Sequence, residues 1–159
     1  MDTGLRGCCF TGHRPEKLKR PVQEITADME REVVKAVSAG VTVFNTGMAK
    51  GTDIVAGEVV LRLRDKGYPI CLVCAIPYQG FEKSWSKEWK QRYHSIIDRA
   101  DDIHYICPQY FRGCFQQRNR WLVDHSELVI AVYNGSPGGT RNTIDYAKRK
   151  GIDVVRIDG

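Results

Sequence analysis

Four short segments of the sequence concentrate glycine, hydroxyl, amide and arginine side chains. They are the turn at 11–15, the loop at 45–53, the polar run at 118–120 and the loop at 134–143. Glycine lets a ligand approach the backbone closely, and backbone N–H groups, hydroxyls and guanidinium groups bind phosphate. We therefore predict a site for a phosphate-bearing ligand, with these candidate residues: Thr11, Gly12, His13, Arg14, Gly47, Met48, Gly51, Asp53, Glu58, Arg118, Asn134, Gly135, Gly138, Gly139 and Thr140.

Few acids accompany these segments. Asp53 follows Gly51 in the first turn of a predicted helix, where the helix dipole favours an ionised carboxylate. Such a carboxylate can hold ribose hydroxyls, or stabilise the oxocarbenium-like transition state of an N-glycosidase. Glu58 is the second candidate for either role, and Asp124 is a further acid beside the arginines. The sequence leaves a catalytic role for Asp53 or Glu58 open.

The polar run at 118–120 contains two arginines on one predicted helix. Arg118 and Arg120 are two residues apart, so their side chains diverge by about 200°. We expect at most one of them to face the site, and the other to pair with an acid.

The apolar pattern predicts the elements that must position these segments. Ile25, Met29, Val33 and Val37 recur every four residues and predict a helix at 22–38. Short apolar runs and longer amphipathic runs alternate along the rest of the chain. They predict strands at 8–10, 41–44, 70–76, 103–107, 128–132 and 154–157, and further helices at 53–66, 84–99, 115–125 and 139–150.

This alternation predicts an α/β fold with a doubly wound, mainly parallel sheet and helices on both faces, which is a Rossmann-like arrangement. Ligands of such sheets bind at the carboxyl ends of the strands. We therefore expect the glycine loops at 46–53 and 134–140 to line one pocket.

Length and composition indicate one soluble domain, placed at 1–159. No apolar run approaches the roughly 20 residues that span a bilayer, and residues 1–7 show no signal-peptide pattern, so we expect a cytoplasmic protein without membrane contact. The net charge of +5 suits a phosphate-bearing ligand but does not by itself imply nucleic acid.

The cysteines are expected to be buried and reduced. Cys8, Cys9, Cys71, Cys74 and Cys107 lie in apolar runs, where a thiol behaves as a small hydrophobic group. The C-x-x-C pair falls on a predicted strand, where positions three apart point to opposite faces. We predict no metal site and no disulfide.

Two aromatic groups receive different predictions. Trp85, Trp89 and Tyr93 lie on one face of a predicted helix and are expected to pack in the core. A loop holds further aromatic residues that either cover a base or pack against the protein, namely Tyr110, Phe111 and Phe115.

At four motifs the sequence resembles the YpsA-like family, part of the SLOG group of Rossmann-like proteins. The motifs are Thr-Gly-His-Arg-Pro at 11–15, Thr-Gly-Met-Ala-Lys-Gly-Thr-Asp at 46–53, Arg-Asn-Arg-Trp-Leu-Val-Asp at 118–124 and Tyr-Asn-Gly-Ser-Pro-Gly-Gly-Thr at 133–140. Their order and combination cover nearly the whole chain. The resemblance implies a nucleotide-related ligand.

Two relatives within that group suggest different functions. The DNA-processing protein A (Smf) family has a similar G-x-A-x-G-x-D segment followed by R-N-R, and binds single-stranded DNA. The Lonely Guy family removes ribose phosphate from nucleoside monophosphates, using a P-G-G-x-G-T-x-x-E motif. Here Gly138, Gly139 and Thr140 are consecutive, and Thr143 stands where that motif has glutamate. This departure argues against glycosidase activity.

We therefore expect a protein that binds or senses a nucleotide derivative, by resemblance an ADP-ribose-like molecule or a nucleotide sugar, with no obligatory cofactor. An N-glycosidase acting on nucleoside monophosphates is the first alternative. Binding of single-stranded nucleic acid is the second, through Arg14, Arg118, Arg120 and Arg141. The sequence leaves the oligomeric state open, with a homodimer as one expectation.

Overall fold

The computed structural model describes residues 6–159 as six strands, five α-helices and one short 3-10 turn at Pro15–Lys17. Residues 1–5 of the predicted domain, and with them most of the stretch searched for a signal peptide, lie outside the described residues. The strands are β1 (Arg6–Gly12), β2 (Val41–Thr46), β3 (Cys71–Ile76), β4 (Asp102–Tyr105), β5 (Leu128–Tyr133) and β6 (Asp153–Asp158). The helices are α1 (Val22–Ser38), α2 (Thr52–Asp65), α3 (Lys87–Arg99), α4 (Cys114–Asp124) and α5 (Gly139–Arg149).

The strands form one parallel sheet in the order β4-β3-β2-β1-β5-β6. The chain builds outward from β1 to β4, and then returns to the other side of β1 with β5 and β6. The strand order therefore reverses between β1 and β5, and such a reversal is where open α/β sheets place their ligands.

Apolar residues cover both faces of the sheet, as the doubly wound prediction requires. Alternate residues of β1 divide between the faces, because successive side chains of a strand point in opposite directions. Phe10 joins the cluster formed with α1, α2 and α3, where it stacks on Phe44 with ring centroids 6.0 Å apart. Cys9 joins the cluster formed with α4 and α5, which includes Leu122 and Ile144.

Most predicted elements differ from the observed ones by one to three residues at an end, and the structure shows what sets two of these ends. Helix α3 begins at Lys87 rather than at 84, because the Ser86 hydroxyl accepts a hydrogen bond from the backbone N–H of Trp89 (3.4 Å) and caps the helix. Strand β4 covers Asp102–Tyr105 rather than 103–107. The chain then leaves the strand, and the N–H of Cys107 donates to the carbonyl of Pro77 (2.9 Å).

The predicted core residues are mostly confirmed. Tyr93 is buried, and Trp85 and Trp89 pack against the core from partly buried positions. All six cysteines are free, and five are buried, while Cys71 is half-buried. Burial raises the pKa of Cys74 to about 12, which keeps that thiol protonated and unreactive.

Within residues 6–159, no helix is long and apolar enough to cross a membrane. The same residues contain no group of three or more histidine, cysteine, aspartate or glutamate side chains that could hold a metal ion.

Candidate functional site

A cavity of about 240 Å3 opens above the carboxyl end of β1, at the reversal of strand order. Both loops that the sequence places in one pocket contribute to its wall, the β2–α2 loop through Ala49 and Asp53 and the β5–α5 loop through Pro137, Gly138 and Gly139. Nine predicted site residues line this first cavity: Thr11, Gly12, His13, Arg14, Asp53, Arg118, Gly138, Gly139 and Thr140.

His13 joins the turn after β1 to both neighbouring loops. Its Nε2 accepts a hydrogen bond from the backbone N–H of Asn134 (3.1 Å), and its carbonyl accepts one from the Thr52 hydroxyl (3.0 Å). Burial, together with the positive charge of Lys17, lowers the pKa of the His13 imidazole. The ring is therefore neutral at pH 7, which is the state that its bond to Asn134 requires.

Asp53 and Arg118 bring opposite charges to the buried side of the cavity. Asp53 Oδ2 accepts a hydrogen bond from the N–H of Ala49 (3.2 Å), and an Arg118 guanidinium N–H donates to the carbonyl of Gly47. Burial raises the pKa of the Asp53 carboxyl, while Arg118 and the Ala49 N–H oppose that change. The result is one carboxylate held in place beside one buried cation.

Two glycines of the predicted site lie close to other protein atoms. A Cβ on Gly12 would lie 2.3 Å from the Thr52 hydroxyl oxygen, and a Cβ on Gly47 would lie 2.9 Å from Asp53 Oδ2. Gly51 is the residue before α2 and lies against the carbonyl of His13. These three glycines let the loops pack against each other, and Gly12 also lines the cavity.

Met48 and Asn134 also differ from prediction. Met48 has a φ of 64° and is fully buried, so the unusual backbone turns its side chain into the core and away from the cavity. The Asn134 amide donates to the carbonyl of Lys17 (2.8 Å), and its Oδ1 accepts from the Ser136 hydroxyl (2.7 Å). Asn134 thus fixes the loop, whereas Gly135 next to it does not line the cavity.

The amino-terminal end of α5 forms the exposed wall of the cavity. Gly138 precedes the helix with a φ of 139° and provides no side-chain cap, so the first backbone N–H groups stay available. No atom lies within 4 Å of a Cβ built on Gly139. This wall therefore offers the donors and the space that an anion needs.

Two cationic side chains line the cavity beside this wall. Arg14 and Lys17 are exposed and line the cavity, and within residues 6–159 neither side chain forms an ion pair. The Lys17 Nζ lies 3.9 Å from the position that a Cβ on Gly138 would take. Lys17 was missed by sequence analysis, because only the 3-10 turn after Pro15 brings it back to α5.

The structure does not bring Glu58 to the cavity. Five residues after Asp53 on α2, its carboxylate forms a bidentate pair with Arg92 of α3 (2.6 and 2.9 Å). Asp124 also lies elsewhere, and accepts a hydrogen bond from the Tyr146 hydroxyl (2.8 Å). Asp53 is therefore the only carboxylate among the described residues that line the first cavity.

The two arginines of α4 diverge as predicted. Arg118 is buried against the β2–α2 loop, and Arg120 is exposed, with its guanidinium carbon 5.5 Å from the ring centroid of Tyr146. The partner of Arg120 is thus an aromatic ring, not the acid that was expected.

Aromatic residues close the cavity on the side of α4. Phe81 and Phe115 line it, with ring centroids 5.9 Å apart. Tyr78 contacts both rings, and Tyr110 lies against Phe115 while staying mostly exposed. Of the loop aromatics, Phe115 is therefore the one placed at the cavity.

The parallel sheet, the helices on both faces and the reversal of strand order at β1 define a Rossmann-like α/β fold. A family model described as YspA SLOG family (YpsA) matches residues 8–154, and the chain belongs to that family. The motifs that suggested this family at 11–15, 46–53 and 133–140 form the first cavity and its supporting loops.

Curated relatives and solved structures agree with this assignment. The chain is 35% identical over 118 residues to the uncharacterized SPbeta prophage-derived protein YoqJ of Bacillus subtilis, covering 67% of this chain and 69% of that protein. It is 26% identical over 150 residues to a UPF0398 protein of Halalkalibacterium halodurans, covering 89% and 79%.

Two similar solved structures are those of DNA processing proteins A. The one from Streptococcus pneumoniae has a TM-score of 0.67 at 20% identity, and covers 98% of this chain. The one from Helicobacter pylori, whose single-stranded DNA binding mode was described, has a TM-score of 0.65 at 19% identity and covers 97%. The chain spans about half of the first protein (51%) and 66% of the second. At this identity the likeness shows the fold.

Proposed function

We propose that the first cavity binds the phosphate of a nucleotide derivative, and that the chain binds or senses this small molecule. The observation that carries the proposal is the position of Lys17. Its ammonium group lies near Gly138 at the start of α5, where the helix dipole places a positive partial charge. Two positive groups face each other there, and a bound anion would neutralise both.

Other residues of the cavity suit the remainder of such a ligand. Arg14 adds a second exposed cation, and Thr140 adds a hydroxyl in the first turn of α5. Asp53 lies on the opposite, buried side, where its carboxylate can accept hydrogen bonds from ribose hydroxyls. A cavity with exposed cations at its mouth and a carboxylate beside Arg118 on its buried side fits a sugar phosphate.

Thermal unfolding in the presence of candidate ligands tests the proposal. The panel consists of nucleoside monophosphates, ADP-ribose and nucleotide sugars, with the matching nucleosides as controls without phosphate. A ligand at a hundred times its Kd stabilises the folded state by about 2.7 kcal/mol, so binding raises the Tm measurably. We expect at least one phosphate-bearing compound to raise it, and its nucleoside to leave it unchanged.

Two lysine variants assign that effect to the cavity. Lys17→Gln removes the cation at α5, and Lys19→Gln removes an exposed lysine that does not line the cavity. We expect Lys17→Gln to abolish most of the ligand-induced rise and Lys19→Gln to retain it. Equal loss in both variants, or no rise with any compound, would contradict the proposal.

Single-stranded nucleic acid is the second candidate ligand, because the DNA processing protein A of Helicobacter pylori, which has a similar fold, binds single-stranded DNA. Such binding weakens steeply with salt. The logarithm of the binding constant falls with the logarithm of the salt concentration, with a slope near −0.7 for each phosphate contact. The net charge of +5 leads us to expect weak binding. Tight, salt-sensitive binding of oligonucleotides would favour this candidate over a small molecule.

A further inference from the structure

A second cavity, of about 420 Å3, lies between α4 and α5 and adjoins the first. Phe115, Asn119 and Gly139 line both cavities. The two spaces therefore meet along the first turn of α5, and a ligand whose phosphate sits at that turn has a direct route into the second space.

Gly139 lies where the two cavities meet. A Cβ built on this residue meets no atom within 4 Å, in contrast to the crowded glycines at 12 and 47. The backbone of the first turn of α5 is thus open toward the space between α4 and α5. Gly139 thus has no side chain that would separate the two cavities.

The walls of the second cavity are planar groups. Phe115 and Tyr146 supply two aromatic rings. Arg120 and Arg149 add guanidinium groups, whose central carbons lie 5.5 and 5.9 Å from the Tyr146 ring centroid. Nucleobases stack on aromatic rings and on guanidinium planes, so these walls suit a base better than they suit a sugar.

Polar groups at the rim can bind the edge of such a base. Gln116, Asn142 and Asp145 are exposed, and none of their side chains forms a hydrogen bond or ion pair within residues 6–159. Their amides and carboxylate offer both donors and acceptors. Arg120 and Arg149 would attract a second phosphate and Asp145 would repel it, whereas the ring of Phe115 offers it no donor.

We propose that the second cavity receives the nucleobase of a ligand whose phosphate occupies the first cavity. This inference rests on the proposed function and specifies the class of ligand, namely a nucleotide that keeps its base. Phosphate binding and base binding are assigned to separate sets of side chains, so they can be measured separately.

Calorimetric titration of the full chain with ribose 5-phosphate, AMP, GMP, CMP and UMP tests the proposal. Ribose 5-phosphate reports on the first cavity alone. We expect at least one nucleotide to bind about tenfold more tightly than ribose 5-phosphate, or more, which is the order of affinity that stacking of one base supplies.

The double variant Asn142→Ala, Arg149→Ala alters only the second cavity, and Lys148→Ala is the matched control on the same helix outside both cavities. All three residues are exposed, so the variants should fold. We expect the double variant to bind the nucleotide no more tightly than ribose 5-phosphate, while its affinity for ribose 5-phosphate stays unchanged. We expect the control to behave as the wild type.

Each outcome of this titration has a distinct meaning. If ribose 5-phosphate binds and no nucleotide binds more tightly, the second cavity is not a base site. If the advantage survives in the double variant, the base lies elsewhere and the inference is also wrong. If neither ribose 5-phosphate nor any nucleotide binds, the proposed function itself fails.

Discussion

Asp53 and Arg118 meet at Gly47. A Cβ on that glycine would lie 2.9 Å from the Asp53 carboxylate and 2.9 Å from the Arg118 guanidinium group, and Arg118 donates a hydrogen bond to the Gly47 carbonyl. Arg118 comes from α4 and Asp53 from α2, on opposite faces of the sheet. The glycine therefore allows two distant helices to place opposite charges beside one cavity.

Gly47→Ala is expected to destabilise the fold by about 1–3 kcal/mol, because the new methyl group would overlap two buried side chains that hydrogen bonds hold in place. Gly139→Ala is the control, since its methyl group meets no neighbour, and we expect a change within about 0.5 kcal/mol. Chemical denaturation measures both. Similar values for the two variants would contradict the packing role of Gly47.

Asp53→Asn is expected to weaken ligand binding by about tenfold or more, the cost of losing a hydrogen bond to a charged acceptor. Asp98→Asn, on the exposed face of α3, serves as the control. Calorimetric titration with the compound that raises the Tm measures the change. Unaltered affinity in Asp53→Asn would remove the carboxylate from the binding site.

The variant Asp53→Asn also tests an expected pH dependence of the free energy of unfolding. Burial raises the pKa of Asp53 above its ordinary value of 3.8. The folded state thus favours the protonated carboxyl. The stabilisation that results from this preference is complete below about pH 4 and is lost as the pH rises through the raised pKa. The free energy of unfolding of the wild type, minus that of Asp53→Asn, should therefore fall with rising pH. A difference that rises instead would contradict the role of burial.

For His13 we expect the contribution to stability to change with pH in the opposite direction. Burial lowers its pKa below the ordinary value of 6.5, so the neutral ring stabilises the fold above that pH, and the contribution is lost as the pH falls through the lowered pKa. Denaturation of the wild type and His13→Gln between pH 5 and 8 measures the difference, with His94→Gln as an exposed control. NMR titration of the ring showing a pKa above 6.5 would disprove this account.

Purified protein is expected to release no free base from nucleoside monophosphates at an efficient rate. A glycosidase must stabilise charge on the sugar and also assist departure of the base. Asp53 is the one carboxylate described in the first cavity, because Glu58 is held by Arg92. Chromatography of the reaction mixture detects the base. Robust turnover that disappears in Asp53→Asn would establish the enzyme in place of the binding protein.

Local sequence patterns predicted most of the fold. The four-residue apolar repeat from Ile25 placed α1 at its observed bounds, and the alternation of short and long elements predicted a parallel sheet covered on both faces. The shared position of the two glycine loops followed from the fold, since parallel strands end at one edge of a sheet.

The parts of the site that depend on contacts between distant residues were not predicted. The role of Gly47 depends on Arg118, 71 residues later in the chain. Lys17 reaches the cavity only because α5 ends up beside it. Glu58 is a different case, because five residues on a helix rotate a side chain by about 140°, which directs Glu58 away from Asp53.

The most direct test of the central claim is a titration followed by amide NMR, using the nucleotide that most raises the Tm. The account predicts the largest shifts at Gly138, Gly139 and Thr140 in the first turn of α5, with further shifts in the turn from Gly12 to Arg14. Shifts confined to surfaces away from these two segments, such as the exposed strand β4, would contradict it.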